Sequence, residues 1–517
     1  MKGRPSKAGS RTGLGHLERR VFYLWVLLLT VATLWPIWTL RLLPMQDYPQ
    51  HLFLSQIIAT YDAPALDWKL HYDIDLGLRP YMLWYLVMKP LAASFGVEAA
   101  GKLVFSLYVV LITTLVLGCR RVSPRGSLPW GALLLYPFAF NQMYFMGFTN
   151  YIVSLPLLFL AVMDLESLAT RPSTVPGVAL HALYLCILLL NHPYTALVYV
   201  GLAVASSCSL LGNWKAFART LAPSVVLALI FAVWSVAQPG PSPPSNSAYH
   251  WGVRWWPFWR GTLAYYLLMF TGMRWTRDPD WLSVGLWACA AGALCVSWLR
   301  SGTGAEGLRR PLLLFLASLS GFLGLPFWLG YYSYVNLRLA PVSYFALALL
   351  LSRLRCGPWA GCVAASCAAL LVSFSIGTQA SVSREVEEVL PALAKVQRNS
   401  LVLPLMFDSS SAILDPEFFY QFHAHEVSYY HVLVGGGADP ELFPNQMLPV
   451  HYRTGFSLPS PEDPRHFSWD RYGPYYDYFL VRGAPPAFAQ YMTGRADLLT
   501  TSGPWELFRN RFPAKPQ

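Results

Sequence analysis

Charge is scarce in this sequence. Asp, Glu, Lys and Arg together make up 13% of the 517 residues, where a soluble globular chain carries about 25%. Paired cysteines are also missing. None of the eight cysteines forms a CxxC spacing, which speaks against a zinc site or a disulfide framework. All of them lie in or beside apolar runs and none follows Thr378, a distribution compatible with an oxidising compartment for the tail. No Asn-x-Ser/Thr sequon occurs, which leans toward a bacterial periplasm over a glycosylating lumen. No soluble segment carries a basic stripe interleaved with stacking aromatics, so nucleic acid is not an expected partner despite the formal charge of +11. No small-residue cleavage site follows the basic stretch 1–20, and the first apolar run therefore reads as a signal anchor.

What is present is apolar and aromatic. Hydrophobic residues reach 55% and aromatics 15%, with 20 Trp, as suits a chain with two membrane–water interfaces. The charge is unevenly spread. From Thr378 onward 11 basic residues face 15 acidic ones, while residues 1–377 hold 27 against 12. The basic residues before 378 sit in short loops, which by the positive-inside rule face the cytoplasm.

Apolar runs predict about eleven transmembrane helices within 21–377, beginning at 21–43 and 100–118, continuing through 128–145, 150–168, 176–190 and 194–211, and ending at 358–377. The N-terminus is then cytoplasmic, and an odd number of spans puts the C-terminus outside. Two outer loops stand out, 44–99 and 238–280. The first holds a short apolar stretch, 80–95, with Lys89 and two prolines, expected to be interfacial. The second opens on a Pro/Ser-rich stretch and carries Trp251, Arg254, Trp255, Trp256, Trp259 and Arg260. The tail, 378–517, reads as a small extramembrane α/β domain. A helix is expected at 383–396, strands at 401–407, 477–482, 496–500 and 504–509, and a helix at 485–493. The predicted fold class is therefore an all-α membrane domain with interfacial helices in its first outer loop and an α/β appendage, in a bacterial inner membrane.

Ionisable residues are nearly absent from the central spans, where pumps and proton relays would need them. Polar side chains gather at the outer span ends instead. The densest group is Met45-Gln-Asp47-Tyr-Pro49-Gln-His51, directly after the first span. Asp47 is placed to accept a proton, although a turn or capping aspartate has the same surroundings. His192, between Asn191 and Pro193, reads as a structural histidine or as a phosphate or acceptor contact. Arg338, at the end of an aromatic run, reads as a snorkelling residue or as a phosphate ligand. Arg254 and Arg260 suit lipid headgroups, and Asn150 and Tyr151 suit capping, packing or the wall of the same cavity. In the tail, His423 and His425, on one face of an expected strand with Glu426 opposite, superficially suggest a metal cluster, but the spacing matches no familiar zinc pattern.

In this order of features the chain resembles the GT-C superfamily of polytopic glycosyltransferases, which use polyprenyl-phosphate sugars and include protein O-mannosyltransferases and aminoarabinose transferases. The likeness rests on Asp47 at the start of a long first outer loop, on the segment Arg79-Pro80-Tyr-Met-Leu-Trp-Tyr-Leu-Val-Met-Lys89 closed by Phe95-Gly96, and on a C-terminal outer domain. The resemblance implies inverting transfer of a sugar from a polyprenyl-phosphate donor in the membrane lipid to an envelope lipid, glycan or protein. It makes Asp47 the general base, or the residue that orients the acceptor nucleophile, with Arg338, and less surely Arg254 and Arg260, at the leaving phosphate; His51, His192, Asn150 and Tyr151 are further candidate substrate contacts beside it. The family's second acidic residue has no counterpart in the loop 141–150, so no metal ligand is assigned and a divalent cation is left open as cofactor. The competing expectation is a non-catalytic transporter or a scaffold for envelope polysaccharide assembly. A transporter should show repeated broken helices, and no internal repeat is visible.

Overall fold

A computed structural model describes residues 9–124, 127–170, 175–237, 253–255, 266, 281–302, 307–329, 333–415, 419, 421–442 and 448–513. Spanning a hydrocarbon layer of about 30 Å takes about 20 helical residues. Among the described residues four helices meet that length with sufficient hydropathy: His16–Thr39, Val97–Arg121, Trp281–Ser301 and Pro358–Leu393. Shorter apolar helices stand beside them, including Thr149–Leu165, Pro193–Ser207 and Leu339–Ser352. The sequence expectation of about eleven spans thus meets four helices of full crossing length.

The expected span at 128–145 is not an α-helix. Trp130–Phe140 is a 3₁₀ helix with Pro137 inside it, followed by a single α turn, Gln142–Phe145. Pro137 has no N–H to give an α-helical ladder. Such irregular backbone is tolerated at membrane depth only where protein surrounds it. Here Gly9–Thr39, Val97–Gly118, Leu339–Ser352 and Pro358–Glu387 all pack on it, and Tyr136 within it is fully buried, bonded to Thr30 at 2.8 Å and Thr113 at 3.1 Å. Its first residue, Trp130, lies flat on Gly361 of the last long helix. A Cβ at Gly361 would come within 2.2 Å of the indole ring.

Pro358–Glu387 runs unbroken through the expected boundary near 378, so the last long helix and the start of the tail are one rod. Beyond it a four-stranded sheet forms in the order Val402–Met406, Tyr478–Arg482, Trp505–Asn510, Ala496–Ser502. The first pair is parallel and the other two are antiparallel. The expected helix at 485–493 is found at Pro486–Met492. The segment around His423 is not a strand: 421–427 are turns leading into the helix Ser428–Leu433.

The tail folds back onto the segment that follows the first long helix. Tyr72–Ile74 pairs antiparallel with Val450–Tyr452. The helix Tyr48–Thr60 packs on Ser428–Leu433, where Phe53 and His431 stack at 4.2 Å. Asp67 accepts the Gly437 N–H at 2.7 Å, and Asn399 donates to the Ala65 carbonyl at 3.2 Å. Loop and tail form one polar-faced unit over the ends of the helices.

Close approach at Gly361 gives a stability prediction. Gly361→Ala drives a methyl group into the Trp130 ring. Its cost is about 1–3 kcal/mol, typical of overpacking, read as a lowered thermal midpoint in detergent; an unchanged midpoint would show that the ring gives way freely.

Candidate functional site

Asp47 stands at the first position before the helix Tyr48–Thr60, whose start is set by Pro49. An aspartate there ordinarily caps the helix, but this side chain makes no capping hydrogen bond. The carboxyl is left available. Its backbone is held from the opposite side, since Gln46 N–H donates to the Phe145 carbonyl at 2.8 Å and Asp47 N–H to the Met146 carbonyl at 3.3 Å. Gly147 makes that approach possible. It has φ +77°, and a Cβ there would lie 2.5 Å from the Asp47 nitrogen.

Both polar neighbours of the carboxylate reach the same oxygen. Gln46 donates to Oδ1 at 3.4 Å, and His425 Nε2, from the tail, lies 3.7 Å from it. Oδ2 has no hydrogen bond among the described residues. Burial raises the Asp47 pKa to about 7, opposed by the Gln46 hydrogen bond and the charge of Arg338. Burial holds the neighbouring imidazoles neutral: His51 falls to about 3, with the charge of His425 adding to the effect, and His425 to about 4. His51 Nδ1 is 2.8 Å from the Tyr85 hydroxyl.

Arg338 precedes the helix Leu339–Ser352 and is 9% exposed. Its guanidinium lies over Phe148 at 4.8 Å and Tyr194 at 5.6 Å. Among the described residues no carboxylate comes within salt-bridge distance of it, and Nε has no hydrogen-bond partner. The segment is tied down around it: Tyr151 donates to the Arg338 carbonyl, and Tyr194 to the Val335 carbonyl at 2.6 Å. His192 packs edge-on against Tyr81 at 4.9 Å and Tyr151 at 5.5 Å. Burial and Arg338 together keep it uncharged. Asn150 donates to the Tyr81 carbonyl at 3.3 Å and accepts on its own carbonyl from Asn191 at 2.7 Å.

Other buried polar atoms in these segments also lack partners: Gln142 Nε2 and Oε1, Thr149 Oγ1, Asn150 Oδ1, His192 Nδ1 and Asn336 Oδ1. Buried polar groups are satisfied in the great majority of native structures, so this concentration sets the region apart from the apolar interior around it. Tyr81 and Tyr334, at φ 69° and 59°, add left-handed backbone at its rim, at about 1–2 kcal/mol each. Strain of this kind clusters at functional sites.

The structure therefore forms two neighbouring groups, Asp47 and His51 beside His425, and His192, Asn150 and Tyr151 beside Tyr81 and Arg338, with the charge of Arg338 felt at both Asp47 and His192. It does not bring in Arg254, which is exposed on the two-residue strand Val253–Arg254, paired with Trp328–Leu329. Arg260 lies outside the described residues. Among the described residues no three His, Cys, Asp or Glu side chains are arranged to hold a metal ion. Sequence reading missed the approach of His425 to Asp47, and also a polar chain in the helices, where His181 contacts Asp164 at 3.1 Å and the Tyr199 hydroxyl at 2.7 Å. Helical spacing around His181 carries no mark of either partner. No protein-family model, curated protein or solved structure matches this chain.

Two measurements follow from the electrostatics. A buried guanidinium without a counter-ion weakens the fold, so Arg338→Met should leave the thermal midpoint unchanged or raised, and inorganic phosphate should raise the midpoint of wild type but not of the variant. Asp47 holds a proton in the folded state up to about 7, against an ordinary value of 3.8. Between those values the folded state binds more protons than the unfolded one, so stability falls as pH rises through that window. Asp47→Asn should flatten this slope in detergent melts, by a few degrees.

Proposed function

We propose that the chain is a GT-C-like membrane glycosyltransferase that moves a sugar from a polyprenyl-phosphate donor to an envelope lipid, glycan or protein on the outer face of the membrane. In this reading about eleven segments cross the bilayer, the shorter apolar helices among them, and the unit built from the first loop and the tail lies in the periplasm. The observation that carries the proposal is an uncapped, half-buried carboxylate that feels the charge of a buried arginine without a salt-bridge partner, in a region of unsatisfied polar atoms. The resemblance of residues 44–120 and of the overall order of features supports the same reading.

Asp47 Oδ2 takes the proton of the acceptor hydroxyl or amine. The freed electron pair forms the new bond to the sugar C1, while the bond from C1 to the phosphate oxygen breaks and its pair stays on the phosphate. A base with a pKa near the working pH is the most effective for this. Arg338 is the fixed cation for the phosphate as its charge develops, and its preference for phosphate geometry is bidentate. His192, Asn150, Tyr151 and His51 line the path between the two ends. With His51, His192 and His425 neutral, Arg338 is the positive charge that meets the lipid phosphate, while Asp47 in its ionised form carries the negative charge that accepts the proton.

Membranes carrying wild type or Asp47→Asn can be compared for turnover of a labelled polyprenyl-phosphate sugar. Loss of a general base should lower turnover by at least about 100-fold. Equal turnover in the two preparations would remove Asp47 from the chemistry and favour a scaffold.

A further inference from the structure

We infer that His425 is a positioning residue for Asp47, delivered to the membrane site by the C-terminal domain and held in register by a buried clamp around His423. The inference rests on the proposed role of Asp47 as the reacting carboxylate.

Geometry supplies the first argument. His425 Nε2 and Asp47 Oδ1 are 3.7 Å apart, with side chains 19% and 16% exposed. That separation is longer than a hydrogen bond, and a small rotation of either exposed-edge side chain in the substrate-free protein closes it to one. Because Gln46 points at the same oxygen, a donor at His425 Nε2 fixes the carboxylate plane and leaves Oδ2 toward the reacting group. A neutral imidazole has one N–H, and the tautomer assigned here puts it on Nε2.

The second argument is the cost of holding His425 there. Residues 421–427 are turns without a strand or helix ladder. Two residues before His425, both ring nitrogens of His423 are gripped, Nδ1 by Glu426 at 2.5 Å and Nε2 by Glu385 at 3.1 Å. Glu385 also accepts from Ser411 at 2.6 Å and from the Ala412 N–H at 2.7 Å, and Arg482 stands 3.7 Å away. Burial opposes a charge on His423, but Glu426 and Glu385 more than offset it and lift its pKa to about 9. A buried ionic cluster adds little net stability compared with apolar packing. What it adds here is placement: Glu385 belongs to the last long helix, so the turn carrying His425 is tied directly to the membrane bundle. The charged and titratable groups facing the Asp47–His425 pair are Arg338, His51 from the Tyr48–Thr60 helix, and Asp439 from the tail.

The test reads the protonation of Asp47 directly. The full-length protein in membranes is treated with dicyclohexylcarbodiimide, which modifies protonated carboxyls in apolar surroundings, and labelling of Asp47 is followed by mass spectrometry from about pH 5 to pH 9, spanning the wild-type midpoint expected near 7. His425→Leu removes the donor and should raise the midpoint by about one unit. His425→Gln places an N–H where Nε2 was and should stay near wild type, whereas His425→Asn places it short and should shift like Leu. A wild-type midpoint in His425→Leu, or equal midpoints for Gln and Asn, overturns the inference; the comparison of the two amides holds even where the Leu variant fails to fold. Sugar turnover measured on the same membranes separates the two claims. A shifted midpoint with no turnover in wild type overturns sugar transfer alone. Lost turnover in His425→Leu at an unshifted midpoint overturns the positioning role alone.

Discussion

The site depends on a carboxylate that is kept from its helix. At the start of Tyr48–Thr60 an aspartate would ordinarily satisfy the first free N–H groups, and water would satisfy the rest of its oxygens. Here the backbone of residues 145–147 grips Gln46 and Asp47 from the other side, and the absence of a side chain at Gly147 lets it come close enough to do so. The carboxyl is turned inward and desolvated. The raised affinity for a proton and the sensitivity to Arg338 both descend from that placement.

Burial of this kind works against stability, and it is not confined to one residue. A guanidinium without a carboxylate, several orphaned amide and hydroxyl atoms and two tyrosines in left-handed backbone lie in the same region. The surrounding bundle tolerates them because it is so thoroughly apolar. The 3₁₀ segment Trp130–Phe140 is enclosed on every side by helices, and its buried aromatic rings bring large apolar area to the interior. Stability drawn from the middle of the bundle allows a weakly satisfied polar region at the ends of its helices, which is the usual trade between fold and function.

Much of the tail could be read from local pattern. Short continuous apolar runs marked 401–407 and 477–482, and the strands fall at Val402–Met406 and Tyr478–Arg482. Asp47, His192 and Arg338 could be chosen because each is a polar residue at the edge of an apolar run. Other features had no local mark. Pro137 is visible in the sequence, but an apolar run with one proline reads as a kinked α-helix, and only packing on all sides makes a 3₁₀ helix acceptable. The seam near 378 looked like a boundary because hydropathy drops there, yet helical hydrogen bonds do not depend on hydropathy and the helix continues to Glu387. The strand expected at His423 gave way to turns because paired carboxylates, one of them distant in sequence, outweighed a local preference. Arg254 looked suitable by composition alone, and composition carries no information on direction.

The pairing of Tyr72–Ile74 with Val450–Tyr452 has a consequence for how the molecule is made. The first partner leaves the ribosome early and the second near the end of the chain. At about 5–20 residues per second, the first strand waits on the order of tens of seconds with its edge unpaired. An open strand edge invites pairing with the wrong chain. During that interval the half-built protein is open to wrong pairing, and the seam between loop and tail closes only once the second strand has been made.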